Sequence, residues 1–164
     1  QCFHVLYLPR PDGQGTTQID HVVVSLNGIF VIETKNYSGW IFGTKTQKDW
    51  TQQIYKKKTP FKNPLHQNDL HLSALAAYLE LPKDRFHSLV YFIGSTSFRT
   101  PMPDNVRASG LTRWIQSHQS PLLTHLEITR VVQTLCTLDQ DTDRKAARTA
   151  HLKAISARQN LRSV

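Results

Sequence analysis

The sequence predicts an α/β sandwich around a mixed sheet, on three observations. Two apolar strands meet at Asn27-Gly28, a leucine-striped helix opens at Asn63-Pro64, and residues 87–93 (His-Ser-Leu-Val-Tyr-Phe-Ile) form a nearly unbroken apolar run. Strands followed by a helix, a buried strand and more helices is the order expected of a sheet covered by helices.

The elements follow in order. Residues 3–8 read as a first strand, ended by the loop composition Pro9-Arg10-Pro11-Asp12-Gly13. Residues 16–25 and 28–35 form a hairpin, because Asn-Gly favours the positive φ that both central residues of a type I′ turn require. In that register Leu26 pairs with Ile29, Val22 lies opposite Glu33 and Asp20 lies opposite Lys35. Residues 39–42, bracketed by glycines, continue the meander as a short strand. Residues 47–58, with Trp50 and Tyr55, are amphipathic and read as a strand followed by a loop. Asn63 caps a helix with Pro64 at its first position; Leu65, Leu72, Leu75 and Leu79 form its buried stripe and Pro82 stops it. Residues 87–93 are an interior strand, 94–103 a loop, and 110–118 and 121–138 helices. A moderately amphipathic basic helix covers 141–161. Residues 1–107 form the core, and 108–164 a helical extension packed on the same domain.

The hairpin carries charges that need a reason. Alternate residues of a strand share a face, as do directly opposed ones. Gln18, Asp20, Glu33 and Lys35 therefore fall on one face, with Asp20 and Glu33 as diagonal neighbours roughly 7–8 Å apart at Cα. Two carboxylates reaching across that gap can hold one divalent cation and a water to be activated. The plainer alternative is a solvated Asp20–Lys35 salt bridge, worth about 0–1 kcal/mol if exposed. Both faces of the hairpin are otherwise apolar, as in a covered sheet, and charges at the tip of a buried sheet are costly unless paired or metal-bound. His21 adjoins Asp20 but points to the opposite face, as a core or supporting histidine.

With 164 residues, 39% of them hydrophobic, the chain is long enough for one domain with a full core and too apolar to be disordered. It contains no run of 18 apolar residues to span a membrane and no charged-then-apolar signal pattern. Cys2 and Cys136 are too few for a disulfide framework or zinc cluster, which fits a reducing cytoplasm. No phosphate-cradling glycine loop is present, which argues against a nucleotide cofactor. The net charge of +8 points to a polyanionic partner. Lys45, Lys48, Lys56, Lys57, Lys58 and Lys62 cluster just after the hairpin, relieved only by Asp49. Basic runs are commonly solvated faces, but the position of this one favours phosphate binding. A second block holds Arg144, Lys145, Arg148, Lys153, Arg158 and Arg162.

Gln18-Ile-Asp-His-Val-Val-Val-Ser25, Gly28-Ile-Phe-Val-Ile-Glu-Thr-Lys-Asn36, Ser38-Gly39-Trp40-Ile41, Trp50 and Asn63-Pro64-Leu65-His66-Gln67-Asn68 together resemble the nuclease-related domain (NERD) family, within the PD-(D/E)xK nuclease superfamily. The resemblance covers roughly residues 3–107. It implies a restriction-endonuclease-like fold with a core of helix, three-stranded meander, helix and strand. The chain opens on a strand, so the first core helix, and the additional metal-binding Glu that many relatives carry there, are expected to be missing.

The resemblance further implies a metal-dependent nuclease acting on nucleic acid, with DNA as the expected substrate. Asp20, Glu33 and the main-chain carbonyl of Thr34 would bind Mg²⁺ or Mn²⁺, and Lys35 would position water or stabilise the transition state. Gln67 matches the glutamine that follows the Glu-x-Lys strand in related nucleases, although a helix-surface glutamine is the plainer reading. Helical spacing puts Gln67, His71 and Tyr78 near one face. The alternative function is a catalytically incomplete module that binds nucleic acid without cleaving it.

Overall fold

The computed structural model describes residues 1–10, 13, 15–141, 149 and 152. Asp12 and, apart from Thr149 and Leu152, the part of the basic helix expected beyond residue 141 lie outside the described residues.

In the larger sheet, β1 (Cys2–Pro9), β2 (Thr16–Ser25) and β3 (Gly28–Lys35) form an antiparallel meander. A smaller sheet is built from β4 (Gly39–Phe42), β5 (Asp49–Ile54) and β6 (Lys57–Lys62), also antiparallel. The chain then crosses back through α1 (Pro64–Leu79) to β7 (Phe86–Phe92), which runs parallel to β3. β8 (Thr96–Phe98) joins β4 in parallel, and β9 (Val106–Arg107) joins β7 in parallel. Helices α2 (Leu111–Ser117) and α3 (His125–Asp141) complete the described chain. The sheet orders are β1-β2-β3-β7-β9 and β6-β5-β4-β8, both mixed.

Three apolar clusters hold these layers together. Val22, Val24, Ile29 and Val31 pack against Leu72, Leu75 and Leu79 of α1 and Val131 and Leu135 of α3. On the opposite face, Phe30, Ile32 and Leu89 meet Trp114 of α2. The hairpin is therefore covered on both sides, as its apolar composition requires. Ile41, Trp50, Val90, Phe92 and Val106 make the third cluster, which joins the two sheets; partly buried Leu65 packs there rather than with the other leucines.

Local chemistry sets the position of α1. Asn63 caps it by accepting from the Leu65 N–H at 3.0 Å, and its amide donates to the carbonyls of Thr44, Lys45 and Gln47. Pro64 follows where no N–H is needed. One turn on, the fully buried Asn68 donates to the carbonyls of Val31 and Leu89 and to the Ser88 hydroxyl. The helix is thus pinned to β3 and β7.

Several expectations are corrected. The hairpin pairs Val24 with Ile29 and Ser25 with Gly28, so Leu26 and Asn27 are the loop residues. The left-handed step falls on Gly28 (φ 118), where an added Cβ would sit 2.9 Å from the Arg85 carbonyl oxygen. β4 does not extend the meander, because Ile41 is buried with Trp50 in a separate sheet. Residues 47–58 form β5 and the start of β6 in place of a strand and loop, and the loop expected over 94–103 contains β8.

Side-chain alternation in β2 also slips once. Ile19 packs in the same cluster as Val22 and Val24, although regular alternation would oppose them. The register skips Val5 and Asp20, and Val5 has φ 56, a strained conformation for a β-branched residue. The irregularity sits at Asp20, one of the candidate site residues.

Candidate active site

The charged end of the larger sheet is assembled by β2, β3 and α1. Glu33 and Lys35 are alternate residues of β3 on the face toward α1, spaced by about 7 Å along the strand. Gln67 and His71 are four apart on α1, spaced by about 6 Å along its axis. The two rows match. Lys35 Nζ donates to Glu33 Oε1 at 2.6 Å and to Gln67 Oε1 at 2.9 Å. His71 Nε2 lies 3.3 Å from Glu33 Oε2, within ion-pair distance but off the hydrogen-bond direction. His71 Nδ1 is bonded to the Thr17 hydroxyl at 2.6 Å. Thr17, Glu33 and His71 are all buried.

Asp20 is held differently. Its Oδ2 accepts from both the main-chain N–H of Thr34 at 2.9 Å and the Thr34 hydroxyl at 2.8 Å. The carboxylate takes over where the β2–β3 ladder ends at His21 and Ile32. Among the described residues, Asp20 Oδ1 has only a long contact, 3.5 Å, to Gln18 Nε2. The expected pairing of Asp20 with Lys35 is absent from the described contacts, because the slip in β2 turns Asp20 toward Thr34 and leaves Lys35 to Glu33 and Gln67.

His21 meets His4, with Nδ1 atoms 2.7 Å apart, on the β1–β2 surface. It is half-buried rather than a core residue. Burial and then the neighbouring His4 hold its pKa below the ordinary histidine value, against the opposing pull of Asp20 and Glu33.

Asp20, Glu33, Lys35, Thr34 and Gln67 are brought to one end of the sheet. The lysines lie on other elements. Lys45 and Lys48 lie in the loop whose carbonyls receive Asn63 donors. Lys56 sits at the β5–β6 turn, Lys57 and Lys58 begin the exposed edge strand β6, and Lys62 is paired with Asp49 at 2.6 Å. Lysines on an edge strand also guard it against pairing with another chain. Tyr78 lies three turns from Gln67, beside Arg130 of α3. The pairing of His71 with Glu33, and the roles of Thr17 and Asn68, were not read from the sequence. The four-residue spacing of Gln67 and His71 opposite the two-residue spacing of Glu33 and Lys35 was the available signal.

Two carboxylates are hard oxygen donors suited to Mg²⁺, which keeps several waters and needs only one or two such ligands. Asp20 Oδ1 and the Glu33 carboxylate fit that modest demand. Among the described residues, no group of three or more His, Cys, Asp or Glu side chains converges as a closed metal cage.

The model of the nuclease-related domain family matches residues 1–93. An uncharacterized protein of Bacillus anthracis is 33% identical over 146 residues, covering 84% of this chain and 68% of the relative. No solved structure matches the fold significantly.

Proposed function

Because the chain belongs to the nuclease-related domain family, we propose that it is a metal-dependent nuclease hydrolysing phosphodiester bonds of DNA. Its restriction-endonuclease-like α/β fold places β3 at the centre of the larger sheet. The observation that carries the reading is the Lys35 ammonium, held between Glu33 and Gln67 at the end of that strand. An ammonium has three donors, and among the described residues two are used, which leaves one to meet a phosphate oxygen or an attacking water.

Asp20 and Glu33, with the main-chain carbonyl of Thr34, would hold Mg²⁺ or Mn²⁺. Such an ion, when bound, polarises the scissile phosphate and lowers the pKa of a coordinated water. The residues of the chain do the rest. Gln67 fixes the ammonium of Lys35, which stabilises charge developing on the phosphate. His71, anchored by Thr17, keeps the Glu33 carboxylate in place. Lys45, Lys48, Lys56, Lys57, Lys58 and Lys62 raise the local concentration of polyanion by long-range attraction. Two free cysteines fit a reducing cytoplasm as the place of action, and no helix among the described residues is long and apolar enough to cross a membrane.

A nuclease assay on plasmid and single-stranded DNA, with Mg²⁺, Mn²⁺ or EDTA, tests this reading. Glu33→Gln is expected to lower the metal-dependent rate by about 10²–10³-fold or more. Cleavage that survives Glu33→Gln would sink it. A second reading, a module that binds nucleic acid without cutting, is favoured by one observation. Both carboxylates already satisfy internal partners, Asp20 with Thr34 and Glu33 with Lys35. That reading predicts salt-sensitive binding with no metal-dependent turnover.

A further inference from the structure

The outer face of the smaller sheet carries groups that the hydrolytic site does not use. Ser97, Trp40, Gln53 and Lys58 form one row across β8, β4, β5 and β6. Residues in register share a face, so this row looks away from the cluster that Ile41 and Trp50 bury on the other side. Trp40 is 44% exposed, a large apolar ring left in solvent at the centre of a sheet. The Arg99 guanidinium carbon lies over that ring, 4.2 Å from its centroid. The Arg99 backbone N–H is bonded to the Ile41 carbonyl at 2.9 Å, so the cation is carried by the sheet and not by a free loop. At the β5–β6 turn Tyr55 is 94% exposed, beside Lys56, Lys57 and Lys58.

Among the described residues no carboxylate forms an ion pair with Arg99, Lys56, Lys57 or Lys58. A sheet face with a central exposed tryptophan, a stacked arginine and Lys58, with Lys56 and Lys57 at the adjoining turn and strand start, complements a polyanion that also offers aromatic faces. A duplex hides those faces within its own stack, whereas an unpaired strand presents them. Trp40 follows Lys35 by five residues, so the two Cα atoms are separated by at most about 18 Å. The short connection between β3 and β4 thus links this face to the charged end of β3.

We propose that this face is a docking platform for single-stranded DNA, in which a base stacks on the Trp40–Arg99 pair and phosphates meet Lys58 and its neighbours. The platform rests on the nuclease reading for its choice of DNA, and it names the substrate form of that site as an unpaired strand. Trp40 and Arg99 act in binding and position, not in bond cleavage.

Equilibrium binding of fluorescein-labelled oligo(dT), and of a duplex of equal length, tests the platform in EDTA so that no cleavage intervenes. Trp40→Ala is expected to weaken single-strand binding about tenfold or more while changing duplex binding less than about twofold. Trp40→Phe keeps a stacking ring and should recover most of the affinity. Arg99→Gln, which leaves Trp40 in place, should give a smaller loss of single-strand binding. Unchanged single-strand affinity in Trp40→Ala, or equal losses for both substrates with a native melting curve, would overturn the platform. Trp40→Phe weakening both substrates as much as Trp40→Ala would do so too. The two proposals fail separately. A wild type that binds oligo(dT) through Trp40 but cuts nothing with Mg²⁺ defeats the hydrolase and leaves the platform. Glu33-dependent cleavage with binding indifferent to Trp40 defeats the platform and leaves the hydrolase.

Discussion

In the larger sheet Lys35 is half-buried against α1 and bonded to the buried Glu33 at 2.6 Å, whereas in the smaller sheet Lys62 is bonded to Asp49 at the same 2.6 Å but in solvent. The ion pairs match in length and differ in burial: side-chain exposure is 17% and 4% for the first, 63% and 40% for the second. Removing charges from water is costly, and a pair that stays buried must be repaid by geometry and further hydrogen bonds. Gln67, His71 and Thr17 supply those bonds and contacts around Glu33 and Lys35. Around Lys62 and Asp49 nothing comparable is required, because water does the work. The first region spends structure on holding charges still, and the second displays them.

The largest expected effect breaks this contrast directly. Lys35→Ala leaves Glu33 a buried carboxylate without its ammonium and should cost about 3 kcal/mol of folding stability. Lys62→Ala should cost about 0–1 kcal/mol. Urea unfolding of both variants measures the difference; equal losses would mean that burial does not separate the two pairs.

Neutralising Lys56, Lys57 and Lys58 together to Gln sharpens the other half of the comparison. These side chains are exposed, so unfolding stability should stay within about 0.5 kcal/mol of wild type. Oligo(dT) affinity measured between about 50 and 200 mM salt should show a log–log slope shallower by about 2, near 0.7 per lost phosphate contact. An unchanged slope would assign these lysines to protecting the β6 edge alone.

The smallest effect concerns pH. His87, on β7, is held below the ordinary histidine pKa chiefly by burial, with His118 adding to the depression and the Asn27 carbonyl opposing it. Its ring stacks on Phe30 and lies 4.2 Å from the ring of His118. With a folded pKa lower than the unfolded one, the unfolded state binds more protons as pH falls. Stability is therefore full above the ordinary value near 6.5 and declines as pH drops through the folded pKa. Thermal unfolding across that range should show the decline, and His87→Phe should flatten it.

Much of the fold was legible. The hairpin, the Asn63-capped helix and the interior strand over residues 86–92 are set by turn chemistry, capping and apolar runs, all local in sequence. The hairpin register was not. Asn27-Gly28 serves either a type I′ turn or a loop in which glycine alone takes positive φ, and the contact of Gly28 with Arg85, far along the chain, accompanies the second arrangement. The assignment of β4 failed for a similar reason: Ile41 finds its burial with Trp50, Val90 and Phe92 rather than with β3. Strand periodicity put Glu33 and Lys35 on one face, and the family resemblance pointed to Gln67; the hydrogen bonds that join Lys35 to both come from the tertiary structure. The turning of Asp20 toward Thr34 was not, since it accompanies an irregularity at Val5 on another strand.

By itself the sequence singled out the candidate site residues and the elements that hold them, because charge, periodicity and caps act over a few residues. Only the tertiary structure decided how those residues are partnered: Lys35 with Gln67, Glu33 with His71, Asp20 with Thr34, and Trp40 in solvent under Arg99. Partnering depends on which buried groups must be satisfied and which faces remain uncovered, and both are settled by contacts between segments distant along the chain.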